Sequence, residues 1–218
     1  DLHSFPTRRS SDLHIELGLE IRISPLPNEI SNPIPFSEDH EHRAYDGAAV
    51  QRFWRALLQI DRVFTLFRSG FVGKVSPVHF FWGSFDLAVT RFSGRPAPLH
   101  RGGNPGLPDA VVREAYSHEV SSAGFWPGGG GVDYAAFYSY AYPEPAGFGS
   151  AAVSPAQASY HEDLGEFVLP YDAVRTARAP DEALLTFLQT TFDAAAERGQ
   201  WDRALECPVG IARVPRVV

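Results

Sequence analysis

The order of its periodic segments constrains the fold of this chain more than any other feature of the sequence. Stretches rich in aromatic and β-branched side chains, which favour β-strands, follow one another between residues 76 and 171. The two long segments with helical periodicity, residues 48–67 and residues 180–199, lie before and after this region. Strands and helices therefore do not alternate, as they would in a doubly wound parallel sheet. We predict an α+β fold, in which an antiparallel sheet is covered on one face by two long helices.

The individual strands are predicted from composition and from the turn residues between them. Residues 76–92 are predicted to form one long bent strand or a hairpin, and residues 165–171 a short strand. Residues 113–125 and 133–143 are predicted to pair as a hairpin, because a glycine-rich run separates them. Alternation of apolar and polar residues over residues 17–24 predicts one further strand.

Both predicted helices have recognisable ends. Asp46 precedes the first helix and is predicted to be its N-cap, and Gly70 is predicted to end it. The last helix is predicted to begin near Pro180, because acidic residues follow this proline in the first turn, and to end at Gly199.

The sequence predicts a single folded domain over residues 14–206. Residues 1–13 have few apolar side chains and no periodicity, and they are similar to the translated sequence of a sequencing adapter. We therefore expect a non-native or disordered leader there. Residues 207–218 show no pattern and are predicted to form an irregular tail. Because the chain contains no methionine, we expect a fragment of a protein truncated at its N-terminus.

Composition and charge argue against several classes of protein. The 218 residues are 44% hydrophobic, enough for a sizeable core, and the 19 basic and 26 acidic residues give a net charge of −7. This charge argues against a nucleic-acid partner bound through its phosphates. No apolar run approaches the length of about 18 residues that spans a membrane. The single cysteine excludes an intramolecular disulfide framework. We expect a cytoplasmic protein with neither a nucleic-acid nor a membrane partner.

Familiar catalytic motifs are missing from the sequence. The segment around Lys74 imitates a phosphate-binding loop, but Arg68 stands where the first glycine should be. A nucleophile elbow, a His-Glu-x-x-His helix and a dinucleotide fingerprint are also absent from the sequence. No cofactor can be assigned on this basis.

Three histidines lie in the aromatic strand region, at His79, His118 and His161. Imidazole is the usual general base near neutrality and a common metal ligand. A metal site would need a carboxylate as well, such as Asp86, Glu119 or Glu162. Pleat geometry disfavours this because adjacent residues of a regular strand, such as His118 and Glu119, point to opposite faces. We assign no metal ligand and predict that His79 and His118 are catalytic residues facing a common cavity.

Other side chains near these histidines are candidates for ligand binding. Ser122 and Trp126 share the strand face of His118 and would supply a hydroxyl group and an aromatic wall. Tyr138 belongs to a set of tyrosines on one face of the following strand, which would line an apolar cleft or the rim of an aromatic core. We predict that Ser122, Trp126 and Tyr138 bind a small molecule, and we place His161 and Glu119 as further candidates for the site.

The chain resembles a known family at three long stretches. These read FWRALLQIDRVFTLFRSGFVGKVSPVHFFWGSFDLAVTRFSGRPAP, YSHEVSSAGFWPGGGG and GEFVLPYDAVR. Over residues 19–206 the chain resembles the bacterial family catalogued as domain of unknown function 5996. The resemblance implies no activity, cofactor or catalytic residue, because none is established for the family. It implies a further segment before residue 19, with a strand region rich in tryptophan and histidine.

Two hypotheses about function follow from the sequence. The first is an uncharacterised bacterial enzyme or small-molecule-binding protein with a histidine and aromatic pocket around His79, His118 and Trp126. The alternative is a non-catalytic structural or interaction module whose histidines belong to the core. The sequence indicates no oligomeric state.

Overall fold

The structure is a computed structural model that describes residues 15–20, 24–28, 32–104, 106–129 and 132–206. The predicted leader (1–13) and tail (207–218) lie outside the described residues. The helices and strands, in chain order, are α1 (Gly47–Ser69), β1 (His79–Phe81), β2 (Asp86–Pro96), α2 (Asp109–Ala115), β3 (His118–Trp126), β4 (Ala136–Tyr142), β5 (Ser159–His161), β6 (Glu166–Pro170), α3 (Tyr171–Arg175) and α4 (Pro180–Arg198).

The six strands form a single sheet in the order β1-β2-β3-β4-β6-β5. Every neighbouring pair is antiparallel. The predicted α+β class with an antiparallel sheet is therefore confirmed. Residues 76–92 form a hairpin rather than one bent strand, because β1 pairs with β2 through Phe81 opposite Asp86.

The core lies between one face of this sheet and the two long helices. Leu87, Phe125, Phe137 and Leu169 lie opposite one another across β2, β3, β4 and β6, and all four are buried. Each such side chain contributes about 1.5–3 kcal/mol when it leaves water. The helices cover them with apolar residues at helical spacing, which are Ile60, Val63, Phe64 and Phe67 of α1 and Leu184, Phe187, Leu188 and Phe192 of α4.

The predicted helix ends are also confirmed. The carboxylate of Asp46 accepts hydrogen bonds from the backbone N–H groups of Ala48 and Ala49, at 2.8 and 3.2 Å. Gly70 follows the last residue of α1, and α4 runs from Pro180 to the residue before Gly199. Local interactions determine these helix ends, so they could be predicted from a few neighbouring residues of the sequence.

Two of the predicted strands are wrong in the described residues. The strand predicted from residue 113 is replaced by α2, and β3 begins only at His118. Asp109 accepts a hydrogen bond from the Gly103 N–H at 2.9 Å and pairs with Arg113 one turn later at 3.3 Å. These local bonds favour a helical turn over the strand preference of the adjacent valines. Of the predicted strand at 17–24, residue 17 is helical and residues 18–20 are irregular, while residues 21–23 lie outside the described residues.

The second face of the sheet carries a different set of side chains. Residues two apart along a strand share a face, so Ala88, Thr90, Ser122 and Tyr140 lie opposite the helices. We call this the polar face. Tyr116, which follows α2, reaches over part of it and contacts Tyr140.

Candidate functional site

A row of five polar side chains crosses the polar face from β2 to β5. The strand register places Thr90 opposite Ser122, Ser122 opposite Tyr140, and His161 opposite Glu166. Tyr140 lies opposite Glu166, because the register of β4 and β6 pairs the preceding Ser139 with Phe167. We call these five residues, Thr90, Ser122, Tyr140, Glu166 and His161, the polar row.

One half of the polar row is a chain of hydrogen-bonded hydroxyl groups. The hydroxyl oxygens of Thr90 and Ser122 lie 2.8 Å apart, and those of Tyr140 and Tyr116 also lie 2.8 Å apart. Burial, together with the neighbouring Tyr116, raises the pKa of Tyr140 well above its usual value. Ser122 is only 3% exposed and shares a hydrogen bond with Tyr140. These hydroxyl groups are therefore neutral and held in fixed positions.

The other half of the row holds two titratable side chains, Glu166 and His161. Residues directly opposite in an antiparallel pair have Cβ atoms about 5 Å apart, so Glu166 and His161 are neighbours. Within the described residues, Nδ1 of His161 is buried and has no hydrogen-bond partner. Burial and the negative charge of Asp86 raise the pKa of Glu166 to about 7. No ion pair or hydrogen bond to its carboxylate is found in the described part of the chain.

Tyr138 connects this half of the face to a second carboxylate. Its hydroxyl donates a hydrogen bond to the carboxylate of Asp86, which is 6% exposed. The ring crosses Gly124 on the way, and a Cβ at that position would lie 2.3 Å from the tyrosine hydroxyl. Only glycine permits this approach. Burial and the charge of Asp86 raise the pKa of Tyr138 well above its usual value, so the phenol stays protonated.

Strand alternation places all five predicted site residues on the polar face, and four of them lie towards one end of it. Ser122 is a member of the polar row, and Tyr138 lies two residues from Tyr140 on β4. Trp126 lies opposite Ala136, beyond Tyr138. His79 lies opposite Ala88, level with Tyr138, but on the exposed edge strand β1.

The fifth predicted residue, His118, lies at the far end of the sheet. It is opposite Pro96, and Nδ1 of its ring is 3.2 Å from the hydroxyl of Ser117. His79 is level with Gly124, so six residues of β3 and two strand spacings separate the two histidines. At about 3.3 Å per residue and about 4.8 Å between strands, their Cα atoms are about 22 Å apart in a regular sheet. The structure does not bring His79 and His118 together in one cavity.

Comparison with known proteins gives a family for the chain. The family model described as a family of unknown function, DUF5996, matches residues 4–207. The chain belongs to DUF5996. The resemblance seen in the sequence is thereby confirmed. No curated protein and no solved structure matches the chain.

In this member of DUF5996, Glu119 lies on the helix-covered face, where it pairs with Arg95 at 2.7 Å. This is the side that pleat alternation predicts for it. Sequence reasoning did not single out Glu166. It placed Tyr140 only within the set of tyrosines on one strand face, and it considered Asp86 only as a metal ligand. Part of the signal was present, because Glu166 is the first residue of β6, whose next three residues are apolar and buried. The side chains next to Glu166 depend on which strands pair, and strand pairing cannot be derived from a single sequence.

Two kinds of feature are absent from the described part of this DUF5996 chain. No group of three or more His, Cys, Asp or Glu residues is placed there to hold a metal ion. None of the helices described is both long enough and apolar enough to cross a membrane.

Proposed function

We propose that the protein binds a small polar molecule over the polar row and exchanges a proton with it through Glu166 and His161. The observation that carries this proposal is the cross-strand pairing of the two side chains on the face opposite the helices. Nδ1 of His161 is buried without a hydrogen-bond partner among the described residues, and no hydrogen bond to the Glu166 carboxylate is found there. Leaving the buried nitrogen unsatisfied costs about 1–3 kcal/mol, a cost that a ligand would offset.

The chemistry of this pair suits general acid–base catalysis. With a pKa of about 7, the Glu166 carboxyl is present in both protonation states near neutral pH, so it can donate or accept a proton. The imidazole of His161 can accept a hydrogen bond at one nitrogen and donate one at the other. A substrate group lying between the two side chains would have an acid on one side and a base on the other.

The remaining side chains on this face would position the molecule. The fixed hydroxyl groups of Ser122 and Tyr140 offer hydrogen bonds of defined direction. Tyr138 and Trp126 would contribute aromatic contact area. A small number of placed polar groups among aromatic side chains is the usual composition of a small-molecule site.

The alternative function, a non-catalytic module with core histidines, makes a different prediction. In that case the polar row is only a hydrogen-bonded layer of the fold. His79 is exposed and is therefore not a core histidine. The satisfied hydroxyl half of the row is compatible with either function, so the test must address Glu166 and His161.

The proposal is tested by a thermal-shift and NMR screen of small neutral, cationic and anionic metabolites. We expect at least one compound to raise the melting temperature of the wild type and to shift the resonances of residues around Glu166. The same compound should lose affinity at least tenfold in Glu166→Gln and in His161→Gln. Glu162→Gln is the matched control, because it removes an exposed carboxyl from the same hairpin. No hit in any class, or a hit unaffected by both site variants, would contradict the proposed function.

A further inference from the structure

We infer that a cavity next to the C-terminus of α4 is a second binding site, for a small carboxylate whose apolar body is about the size of one benzene ring. The carboxylate would pair with the guanidinium of Arg198. This site goes beyond the proposed function, because it lies on the helix-covered side of the sheet and uses no residue of the polar row.

The cavity lies where the first residues of β3 and the last residues of β4 meet the end of α4, and its volume is about 160 Å³. Most of its wall is apolar and is formed by Val120, Ala141, Pro143, Pro145, Ala195 and Trp201. An apolar cavity of about 150 Å³ in another protein holds one benzene molecule. The cavity is therefore large enough for a single ring.

Arg198 lines this cavity and carries a charge that no ion pair neutralises in the described part of the chain. It takes part in none of the ion pairs or arginine hydrogen bonds found there. Its position is nevertheless defined, because a Cβ at Gly147 would lie 2.6 Å from Nη1 of Arg198. Gly147 has a φ of 75°, a conformation that glycine adopts without strain. The guanidinium thus packs against the loop after β4 and is free to bind an anion.

The carboxylate that also lines the cavity, Glu119, is neutralised by Arg95. One oxygen of Glu119, Oε2, accepts hydrogen bonds from Nε and Nη2 of Arg95 at 3.0 and 2.7 Å. The same oxygen accepts a hydrogen bond from the hydroxyl of Ser93 at 2.8 Å. Because this ion pair is neutral as a whole, the charged side chains at the cavity leave one net positive charge, that of Arg198.

The C-terminus of α4 would repel an anion through its free carbonyl groups, but these are largely engaged. The carbonyl groups of residues 195–197 each accept a hydrogen bond from a backbone N–H group of residues 199–201, at 2.8–3.2 Å. The carbonyl groups of Gly199 and Gln200 accept hydrogen bonds from Arg95. Few carbonyl dipoles at this helix end therefore oppose a carboxylate at Arg198.

The chemistry of the lining selects both parts of the ligand. Trp201 is 8% exposed and packs edge-on against Phe192, with ring centroids 5.8 Å apart, so it forms a fixed aromatic wall for an apolar body. The planar guanidinium of an arginine can bind both oxygens of a carboxylate through parallel N–H groups. A carboxylate should therefore bind more tightly than a neutral or cationic molecule of the same shape.

The test uses three probes of similar size that differ in charge, which are benzoate, benzyl alcohol and benzylamine. Dissociation constants for the whole chain are measured by NMR titration at pH 7. The reporter is the indole N–H resonance of Trp201, assigned by its loss in Trp201→Phe. We expect benzoate to shift this resonance and to bind at least tenfold more tightly than either of the other probes. This charge preference is measured on the wild type, so it does not depend on the folding of a variant.

Variants of charged residues locate the site. Arg198→Gln should weaken benzoate binding at least tenfold and change the affinity for benzyl alcohol by less than twofold. Arg178→Gln is the matched control, because it removes an exposed arginine beyond the other end of α4, a helix about 28 Å long. Neither this control nor Glu166→Gln should change the affinity for benzoate.

The outcomes separate this site from the polar row. If the affinity for benzoate depends on Glu166 and not on Arg198, the probe binds at the polar row, so the site inferred at α4 is wrong and the proposed function stands. The inference is also overturned if benzoate does not bind, if it leaves the Trp201 resonance unshifted, or if a neutral or cationic probe binds as tightly. None of these three results bears on Glu166 and His161.

Discussion

Arg91 and Glu166 are charged residues that are fully or partly buried on opposite faces of the same sheet, and they have different surroundings. Arg91 is 1% exposed, yet its guanidinium lies 3.5 Å from the ring centre of Phe67 and 4.3 Å from that of Phe192. It also donates a hydrogen bond to the Phe67 carbonyl in the last turn of α1, where carbonyl dipoles favour a cation. Burial lowers the pKa of Arg91 to about 10, so it remains charged at neutral pH. Glu166 has no such partners among the described residues, and this contrast is the reason that the proposed function assigns it a role.

Glu166 should make the stability of the protein depend on pH. Its pKa is raised from 4.5 to about 7, so the folded state holds the proton more tightly than the unfolded state. Stability therefore falls as pH rises between these two values, by up to about 3 kcal/mol. We expect Glu166→Gln to remove this part of the pH dependence, measured by urea unfolding from pH 4 to pH 8. The matched control Glu162→Gln should keep it. An identical pH profile in the wild type and Glu166→Gln would contradict the raised pKa.

Arg91 should contribute more through its volume than through its charge. Two of its nitrogens, Nε and Nη1, are buried without a hydrogen-bond partner among the described residues. The Phe67 carbonyl also accepts a hydrogen bond from the Gly70 N–H at 3.2 Å, so it is not left unpaired when the guanidinium is removed. We expect Arg91→Met to change the free energy of unfolding by no more than about 1 kcal/mol, and Arg91→Ala to lower it by about 3 kcal/mol. Equal losses in both variants, measured by chemical denaturation, would show instead that the guanidinium itself is required.

The pairing of β3 with β4 builds the centre of the candidate site. It brings Tyr138 across Gly124 and Tyr140 next to Ser122. Alternation along each strand, readable from the sequence, predicts that Ser122 and Trp126 share one face and that the tyrosines of β4 share another. Contacts between distant segments of the chain determine that these two strand faces lie on the same side of the sheet. They also determine that β6 rather than β5 lies beside β4. For the same reason, α1 and α4 with their caps were predictable, whereas the neighbours of Glu166 were not.

Gly124 should be essential to the geometry of this element. A Cβ there would lie 2.3 Å from the Tyr138 hydroxyl, so the ring must move and its hydrogen bond to Asp86 must break. We expect Gly124→Ala to destabilise the protein by about 1–3 kcal/mol and to weaken ligand binding. Gly47→Ala is the control, because a Cβ at Gly47 would meet Tyr45 at an ordinary 3.7 Å. If thermal denaturation shows Gly124→Ala to be as stable as this control, the close approach of Tyr138 does not hold.

At the scale of the whole molecule, one sheet separates two environments. The helix-covered face is an aromatic and aliphatic core that stabilises the fold, and the polar face concentrates hydroxyl groups, two carboxylates and imidazoles. The sequence predicted the class of fold, and it predicted that the tyrosines would share a strand face. It placed the reactive centre at His79 and His118, which the sheet keeps far apart. The polar row replaces that centre in our account.

The central claim is that Glu166 and His161 form a proton-exchanging pair at a ligand site. The most direct measurement is an NMR titration of the side-chain carboxyl ¹³C resonance of Glu166, assigned by its loss in Glu166→Gln. We predict a titration midpoint at about pH 7. A midpoint near 4.5, the ordinary value for this group, would contradict the account.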